Sequence, residues 1–127
     1  EEFFPEIKGK IGGNSENLEI IRRALRDVVN GPKGTGKRSK LKNIIVSGKT
    51  GTVQVVRMKT KKGGKEEEVP YIHRDHAWFV GFAPYEKPEI AVAVLVEHGG
   101  HGGATAAPIA KKIIEKYFQL YPPKSAA

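Results

Sequence analysis

The chain has no cysteine among its 127 residues. A disulfide framework and a thiolate metal site are therefore excluded, and the composition fits a protein on either side of the cell membrane. The chain also lacks any apolar run close to the about 20 residues that a membrane-spanning helix needs, and no signal peptide opens it. If the protein works outside the membrane, we expect its anchor to lie outside these residues.

Aromatic residues are also few, at 8% of the chain, whereas positive charge is abundant. The net charge is +8, from 22 Lys and Arg against 14 Asp and Glu. Such an excess suits nucleic acid, anionic lipid or an acidic polymer such as a cell wall. The basic residues have little aromatic interleaving, which disfavours nucleic acid. The length corresponds to one domain or part of one.

Hydrophobic spacing predicts two amphipathic helices. In residues 18–29 the apolar side chains recur every three or four positions and predict one buried stripe, formed by Leu18, Ile21, Leu25 and Val28. Asn14 or Ser15 can cap this helix, and residues 1–17 predict a connecting arm. The second helix is predicted over residues 105–120, with the threonine that opens it as its cap.

Runs of β-branched and aromatic residues predict three strands. One covers residues 44–58, and two more form a hairpin within residues 76–96, whose second strand is apolar throughout, as a strand covered on both faces would be. Residues 59–75 are rich in Lys, Gly and Glu and predict a mobile loop. Because helices must cover such a sheet, the predicted fold class is α+β: an antiparallel three-stranded sheet covered by an N-terminal and a C-terminal helix.

The strand predicted over residues 44–58 carries the most informative pattern. Its β-branched ends flank a polar insert in which Gly48 and Gly51 interrupt the strand. Glycine weakens a strand interior, so two glycines indicate a place where something approaches the backbone closely. Beside them stand one cation and two hydroxyls, Lys49, Thr50 and Thr52. This composition predicts a strand edge that receives an anionic, peptide-like ligand.

The string Ser-Gly-Lys-Thr-Gly-Thr-Val-Gln-Val at residues 47–55 resembles the K-T-G strand of penicillin-binding proteins and serine β-lactamases. Downstream, HAWFVGFAP at residues 76–84 and EHGGHGG at residues 97–103 fall in the order and spacing of class B penicillin-binding proteins, most similar to the penicillin-binding protein 2 (elongation) type. The resemblance covers roughly residues 18–118. It implies the C-terminal part of a transpeptidase domain with the β-lactamase/transpeptidase-like fold.

The resemblance also implies an activity and a role for each residue of the K-T-G strand. The whole protein would be a D,D-transpeptidase that cross-links peptidoglycan stem peptides by serine acyl transfer and binds penicillin. Lys49 would shape the proton path, while Thr50 and Thr52 would hold the carboxylate of the substrate or β-lactam. The backbone N–H of Thr52 would be one donor of the oxyanion hole. Gly51 would leave room for the acyl group, and Gly48 would belong to the same substrate-binding strand. The alternative to a substrate-binding strand is an ordinary sheet strand with an exposed lysine.

Two serine patterns imitate the other motifs of that family. Ser39-x-x-Lys42 fits S-x-x-K, and Ser15-x-Asn17 fits S-x-N. In the family both motifs lie upstream of this segment, and the S-x-x-K serine opens a helix. Here Ser39 stands just before the strand, and Ser15 is better explained as a helix cap. We therefore expect that the nucleophile is absent from this chain and that the chain alone is inactive.

The basic loop before the strand imitates a phosphate-binding motif. Gly31-x-x-x-x-Gly36-Lys37 is one residue short of a Walker A motif, because Arg38 stands where Ser or Thr would bind magnesium. The order of elements is also inverted, since a helix precedes this loop and a strand follows it. We expect no phosphate site here.

The histidines and aromatics of the hairpin region have modest alternatives. Two H-x-x-H pairs occur, but zinc needs three or four converging ligands, so no metal site and no cofactor are expected; the pairs are His73/His76 and His98/His101. Trp78 and Phe79 are expected at the core and rim of the sheet rather than on a sugar-binding platform.

The implied partners are stem peptides ending in D-Ala-D-Ala, β-lactams, the missing N-terminal part of the same domain, and a membrane glycosyltransferase of the elongation machinery, with no nucleic acid. The implied location is the extracytoplasmic face of the cell membrane, in the periplasm, with a transmembrane anchor outside these residues. The main alternative is a non-catalytic basic module that binds wall peptide or a partner protein.

Overall fold

A computed structural model describes residues 6–9, 12–55 and 70–123. Three strands form one antiparallel sheet in the order β1-β2-β3, and two helices accompany it. The elements are α1 (Ser15–Asn30), β1 (Ser47–Val53), β2 (His76–Ala83), β3 (Ile90–Val96) and α2 (Ala106–Leu120), with short 3₁₀ turns at Lys37–Ser39 and Tyr71–His73. The predicted α+β class is confirmed. In the described ranges, no helix has both the length and the apolar character needed to cross a bilayer.

Helix α1 begins earlier than the periodicity predicts, because Asn14 caps it. The Asn14 side chain accepts a hydrogen bond from the Glu16 N–H at 2.9 Å, which satisfies a backbone donor of the first turn. The predicted buried stripe is wrong in its first half: Leu18 is 45% exposed and Ile21 is 54% exposed. Only the C-terminal end of α1, at Val29, is fully buried in the core.

Strand β1 is shorter than predicted at both ends. Ser47 pairs with Phe82 and Val53 pairs with His76, the first residue of β2. Residues 54–55 therefore have no partner on β2, whereas before Ser47 the Ile45 carbonyl accepts a hydrogen bond from the Tyr85 N–H at 2.9 Å. Residues 44–46 lie outside the strand, and residues 56–58 lie outside the described ranges. Most of the predicted mobile loop, residues 59–69, also lies outside them.

Strands β2 and β3 form the predicted hairpin, with Ala83 opposite Ile90 and Ala77 opposite Val96. Contrary to expectation, β3 is covered on one face only by the described part of the chain. On the other face, Val80 is 50% exposed and Leu95 is 44% exposed.

The core lies between the sheet and α2. Phe79 is fully buried at its centre. Helix α2 packs one face against the sheet, and small side chains near its start allow close approach. Its buried residues are Ala106, Ala107, Ala110, Ile114 and Phe118. Trp78 alternates to the opposite face of β2 and is half-buried.

Tyr85 fastens α1 to the β2–β3 connection. Its hydroxyl donates to Glu19 Oε1 at 2.8 Å, and its backbone carbonyl accepts from Arg22 Nη2 at 2.5 Å. The Arg22 and Arg26 guanidiniums also lie over its ring, at 5.1 and 5.5 Å from the centroid. The hydrogen bond from Tyr85 lowers the pKa of Glu19, with a smaller contribution from Arg23, and the same bond raises the pKa of Tyr85.

Neighbouring isoleucines of α2 test the location of the core. Ile114→Ala is expected to lower the free energy of unfolding by about 2–5 kcal/mol, because it leaves a cavity at a fully buried site. Ile113→Ala, at a side chain that is 44% exposed, is the matched control and should cost much less. Urea unfolding followed by the single tryptophan measures both. Equal losses would contradict the placement of α2.

The Tyr85 contact predicts a pH-dependent stability. A lowered folded pKa of Glu19 stabilises the fold above pH 4.5, and this contribution is lost as the pH falls through the folded pKa. A raised folded pKa of Tyr85 stabilises the fold below pH 10.0, and this is lost as the pH rises through the folded pKa. The stability difference between wild type and Tyr85→Phe should therefore be largest between these pH values and shrink on both sides. Tyr121→Phe, at an exposed tyrosine, should show no such profile.

Candidate functional site

A cleft of about 450 Å³ lies beside β1, where three segments meet. The segments are the turn that follows α1, the strand β1 itself, and the glycine-rich loop before α2. The lining residues are Thr35, Lys37, Arg38, Thr50, Thr52, His101, Gly102, Gly103 and Ala104. Two cations and three threonines stand in this wall, and none of its residues is acidic, so the cleft suits an anionic ligand.

Thr50 and Thr52 are brought together on this wall. Side chains two apart in a strand share a face, and these two share the face of their register partners Phe79 and Ala77. The Thr50 Oγ1 lies 2.9 Å from Thr35 Oγ1. The Thr52 Oγ1 accepts a long hydrogen bond, 3.5 Å, from the Gly102 N–H.

Lys49 lies on the opposite face of β1, because side chains alternate along a strand. Its register partner there is Val80. The lysine side chain is exposed, and its Nζ donates to the carbonyl oxygen of Thr50 at 2.6 Å. The structure therefore separates the predicted lysine from the two predicted hydroxyls, one on each side of the sheet.

The two glycines of β1 differ in what surrounds them. A Cβ at Gly48 would lie 2.5 Å from the Phe79 ring and 2.6 Å from the Val80 carbonyl oxygen, so this glycine makes room for the core. A Cβ at Gly51 would meet only Trp78, at 3.1 Å. The interpretation of both glycines as points of ligand approach thus has a packing alternative at Gly48.

The loop before α2 touches the sheet through its backbone. A Cβ at Gly102 would lie 2.3 Å from the carbonyl oxygens of both Gly51 and Trp78, and a Cβ at Gly103 would lie 2.3 Å from that of Thr35. Only glycine allows this approach. The predicted cap of α2 is different in the structure: Thr105 makes no side-chain cap bond, and its hydroxyl donates to the Gly99 carbonyl instead, at 2.7 Å.

A family model of the penicillin-binding protein transpeptidase domain matches residues 5–115. The chain belongs to this family. The transpeptidase relatives include the peptidoglycan D,D-transpeptidase MrdA of Haemophilus influenzae, 37% identical over 78% of this chain and 15% of that protein. MrdA of Acinetobacter baumannii is 41% identical over 87% of this chain and 16% of that protein. The chain thus spans less than a fifth of the length of these relatives.

Solved transpeptidase structures share the fold. PBP2 of Helicobacter pylori, in its complex with MreC, matches with a TM-score of 0.69 and 34% identity over 85% of this chain and 19% of that chain. PBP2 of Pseudomonas aeruginosa in complex with WCK 5153 gives 0.67 and 33% over 86% of this chain and 20% of that chain. The resemblance to class B penicillin-binding protein 2 and the β-lactamase/transpeptidase-like fold are confirmed.

The serines that imitate transpeptidase motifs lie away from the cleft. Ser39 is fully buried, and its hydroxyl donates to the Gly36 carbonyl at 2.7 Å. Lys42 is exposed and lines a different cleft, of about 360 Å³, beside Phe118. Ser15 is an exposed residue in the first turn of α1. The structure brings none of these residues to Thr50.

His76, the first residue of β2, and His98, just after β3, contact each other. The His98 N–H donates to His76 Nδ1 at 2.9 Å, and the two rings meet edge to face at 4.8 Å. His98 takes a positive φ of 53°, and its Nδ1 lies 3.2 Å from the Arg74 carbonyl oxygen. No group of three or more potential metal ligands occurs in residues 6–9, 12–55 and 70–123.

Nothing in the sequence pattern predicts the turn of residues 34–38 as part of the cleft. Its partial match to a Walker A motif does not indicate that it lies beside β1. What places it here is the Gly36 N–H, which donates to the Val28 carbonyl at 2.8 Å, and Arg38, whose Nη1 donates to the Ala104 carbonyl at 3.1 Å. These are contacts between distant segments, which no local motif encodes.

The close approach of the glycine loop predicts a strong effect at Gly102. Gly102→Ala would press a methyl group against two backbone carbonyls, and the loop must move or strain, at a cost of about 1–3 kcal/mol in unfolding free energy. Gly13→Ala is the matched control, because a Cβ there meets nothing within 4 Å. Urea unfolding measures both variants, and equal stability of the two would contradict the packing described for the loop.

Proposed function

We propose that this chain forms one wall of the active site of a peptidoglycan D,D-transpeptidase, which cross-links stem peptides by serine acyl transfer and binds penicillin. Family membership supports the reaction class. The observation that carries the proposal is the cleft itself, where the hydroxyls of Thr50 and Thr52 share one wall with Lys37 and Arg38 and no carboxylate. Hydroxyl and cationic donors suit a carboxylate, which in its ionised form only accepts hydrogen bonds.

The ligand is proposed to lie along β1. In the described ranges this strand pairs with β2 alone, so it is an edge of the sheet. An extended peptide can add to such an edge through main-chain hydrogen bonds. A stem peptide ending in D-Ala-D-Ala would run antiparallel along residues 48–52, with its terminal carboxylate at Thr50 and Thr52. A β-lactam would place its carboxylate in the same position.

The proposed reaction is acyl transfer through a serine ester. A serine hydroxyl attacks the carbonyl carbon between the two D-alanines, and the N–H of Thr52 is one of the donors to the oxyanion that forms. The terminal D-alanine leaves with a proton, and the amine of a second stem peptide then attacks the ester and releases the serine. Gly51 keeps the space beside the acyl group clear.

The serine is proposed to come from a part of the protein outside this chain. The chain covers 15% of one curated relative, and neither Ser39 nor Ser15 lies in the cleft. Lys49 stands on the sheet face where Val80 and Leu95 remain exposed. We infer that the catalytic elements of the remaining domain pack against this face, where Lys49 would join the proton path.

This assignment makes residues 1–127 the C-terminal part of a transpeptidase domain. It implies that a transmembrane segment outside the chain anchors the protein on the extracytoplasmic face of the membrane. A net charge of +8 suits an acidic cell wall. The solved complex of Helicobacter pylori PBP2 with MreC supports a protein partner; we propose a membrane glycosyltransferase of the elongation machinery as a further one.

Mass spectrometry after incubation with benzylpenicillin tests the proposal. We expect no covalent adduct on the 127-residue chain alone and one adduct, on a serine outside this segment, in the complete protein. In the complete protein, Thr52→Val and Lys49→Ala should each slow acylation by at least about tenfold, since the first removes a hydroxyl proposed to bind the carboxylate and the second removes the cation proposed for the proton path. Lys112→Ala, at an exposed lysine of α2, is the matched control.

Three outcomes would contradict parts of the proposal. An adduct on Ser39 would place the nucleophile in this chain. Unchanged acylation of the Thr52→Val and Lys49→Ala proteins would overturn the site. The third outcome would favour the non-catalytic basic module. In it, the chain binds wall peptide even with Lys49→Ala, this binding weakens steeply with salt, and the complete protein is not acylated. The cations Lys37 and Arg38 in the cleft are consistent with such a module.

A further inference from the structure

We propose that Thr35 is a positioning residue for Thr50. Its hydroxyl donates a hydrogen bond to the Thr50 hydroxyl and thereby directs the Thr50 proton toward the anionic group of a ligand in the cleft. The inference rests on the proposed function, in which Thr50 binds the carboxylate. It adds a residue from a separate segment, the turn after α1, to the machinery that recognises the ligand.

The number of hydroxyl protons determines the direction of this hydrogen bond once a carboxylate is bound. The two Oγ1 atoms lie 2.9 Å apart, and in the free protein either hydroxyl can be the donor. Each hydroxyl has one proton, whereas a carboxylate has none and can only accept. When Thr50 donates to a carboxylate, its contact with Thr35 persists only if Thr35 donates. The ligand therefore selects one of two arrangements that the free protein already allows.

The turn that carries Thr35 is held on the side of α1. Gly36 is buried, and its N–H donates to the Val28 carbonyl at 2.8 Å. A Cβ at Gly34 would lie 2.3 Å from the same carbonyl oxygen, so the turn lies flat against the end of the helix. Thr35 stands between these two anchored glycines.

The turn is also held from the side of α2. Arg38 Nη1 donates to the Ala104 carbonyl at 3.1 Å. Gly103 approaches so closely that a Cβ there would lie 2.3 Å from the Thr35 carbonyl oxygen and 3.6 Å from the Thr50 Cγ2. Because the backbone on both sides of Thr35 is fixed before a ligand arrives, the hydroxyl needs little further ordering on binding.

The hydroxyl pair should strengthen the contact with the anion. A hydroxyl that accepts one hydrogen bond becomes a better donor in the next, so Thr35 polarises the Thr50 O–H. Without this partner, the Thr50 hydroxyl can rotate away and direct its proton elsewhere. Loss of one such interaction corresponds to about a three- to tenfold change in rate.

The test is a double-mutant cycle in the complete protein, read as the second-order rate constant of acylation by benzylpenicillin. Valine keeps the shape of threonine and removes its hydroxyl. Thr35→Val should slow acylation by about three- to tenfold in the wild-type background and by less than about twofold in the Thr50→Val background. Thr35→Ser, which keeps the hydroxyl, should restore most of the rate.

A merely structural role for Thr35 predicts a different pattern. Thr35→Val would then slow acylation equally in both backgrounds, and that result would overturn the inference. So would a Thr35→Ser protein as slow as Thr35→Val. If Thr50→Val slows acylation but Thr35→Val does not, the inference fails while the proposed function stands. If Thr50→Val itself has no effect, the assignment of Thr50 in the proposed function fails first, and this inference fails with it.

Discussion

The ring of Phe79 occupies space that three glycines leave open, and the arrangement of the site depends on this fit. A Cβ atom at Gly48 would lie 2.5 Å from the Phe79 ring, one at Gly81 would lie 2.8 Å from it, and one at Gly36 would lie 3.3 Å from it. These glycines belong to β1, to β2 and to the turn after α1. A single buried aromatic side chain therefore sets the distance between the strand that carries Thr50 and the turn that carries Thr35.

The local elements could be predicted from the sequence because local rules determine them. Apolar residues that recur every three or four positions predicted the two helices, and runs of β-branched and aromatic residues predicted the hairpin and, with the helices, the α+β class. The family could be recognised from long, specific sequence strings. The K-T-G segment and the glycine-rich residues 97–103 identify a family, whereas the overall composition does not. The C-terminal end of β1 depends on where β2 begins, at His76, and that is a property of the pairing rather than of the strand.

The contribution of the turn of residues 34–38 to the cleft could not be predicted for a related reason. Thr35 and Thr50 lie 15 residues apart, and Arg38 and Ala104 lie 66 apart. Contacts at such separations follow from tertiary packing, whereas spacing rules describe neighbours within one element. The buried stripe predicted for α1 is too long for the same kind of reason. Periodicity identifies the apolar face of a helix, but it does not indicate how much of that face packs against the sheet.

Because β1 alternates, it is a partition with different chemistry on its two sides: Lys49 on one, Thr50 and Thr52 on the other. A shift of one residue in register would exchange these sides completely. Substitutions along the strand change one group at a time, but the deletion or insertion of a single residue between Ser47 and Val53 would move every group on one side of the change to the opposite face. The number of residues in this strand is thus a stricter requirement than the identity of most of them.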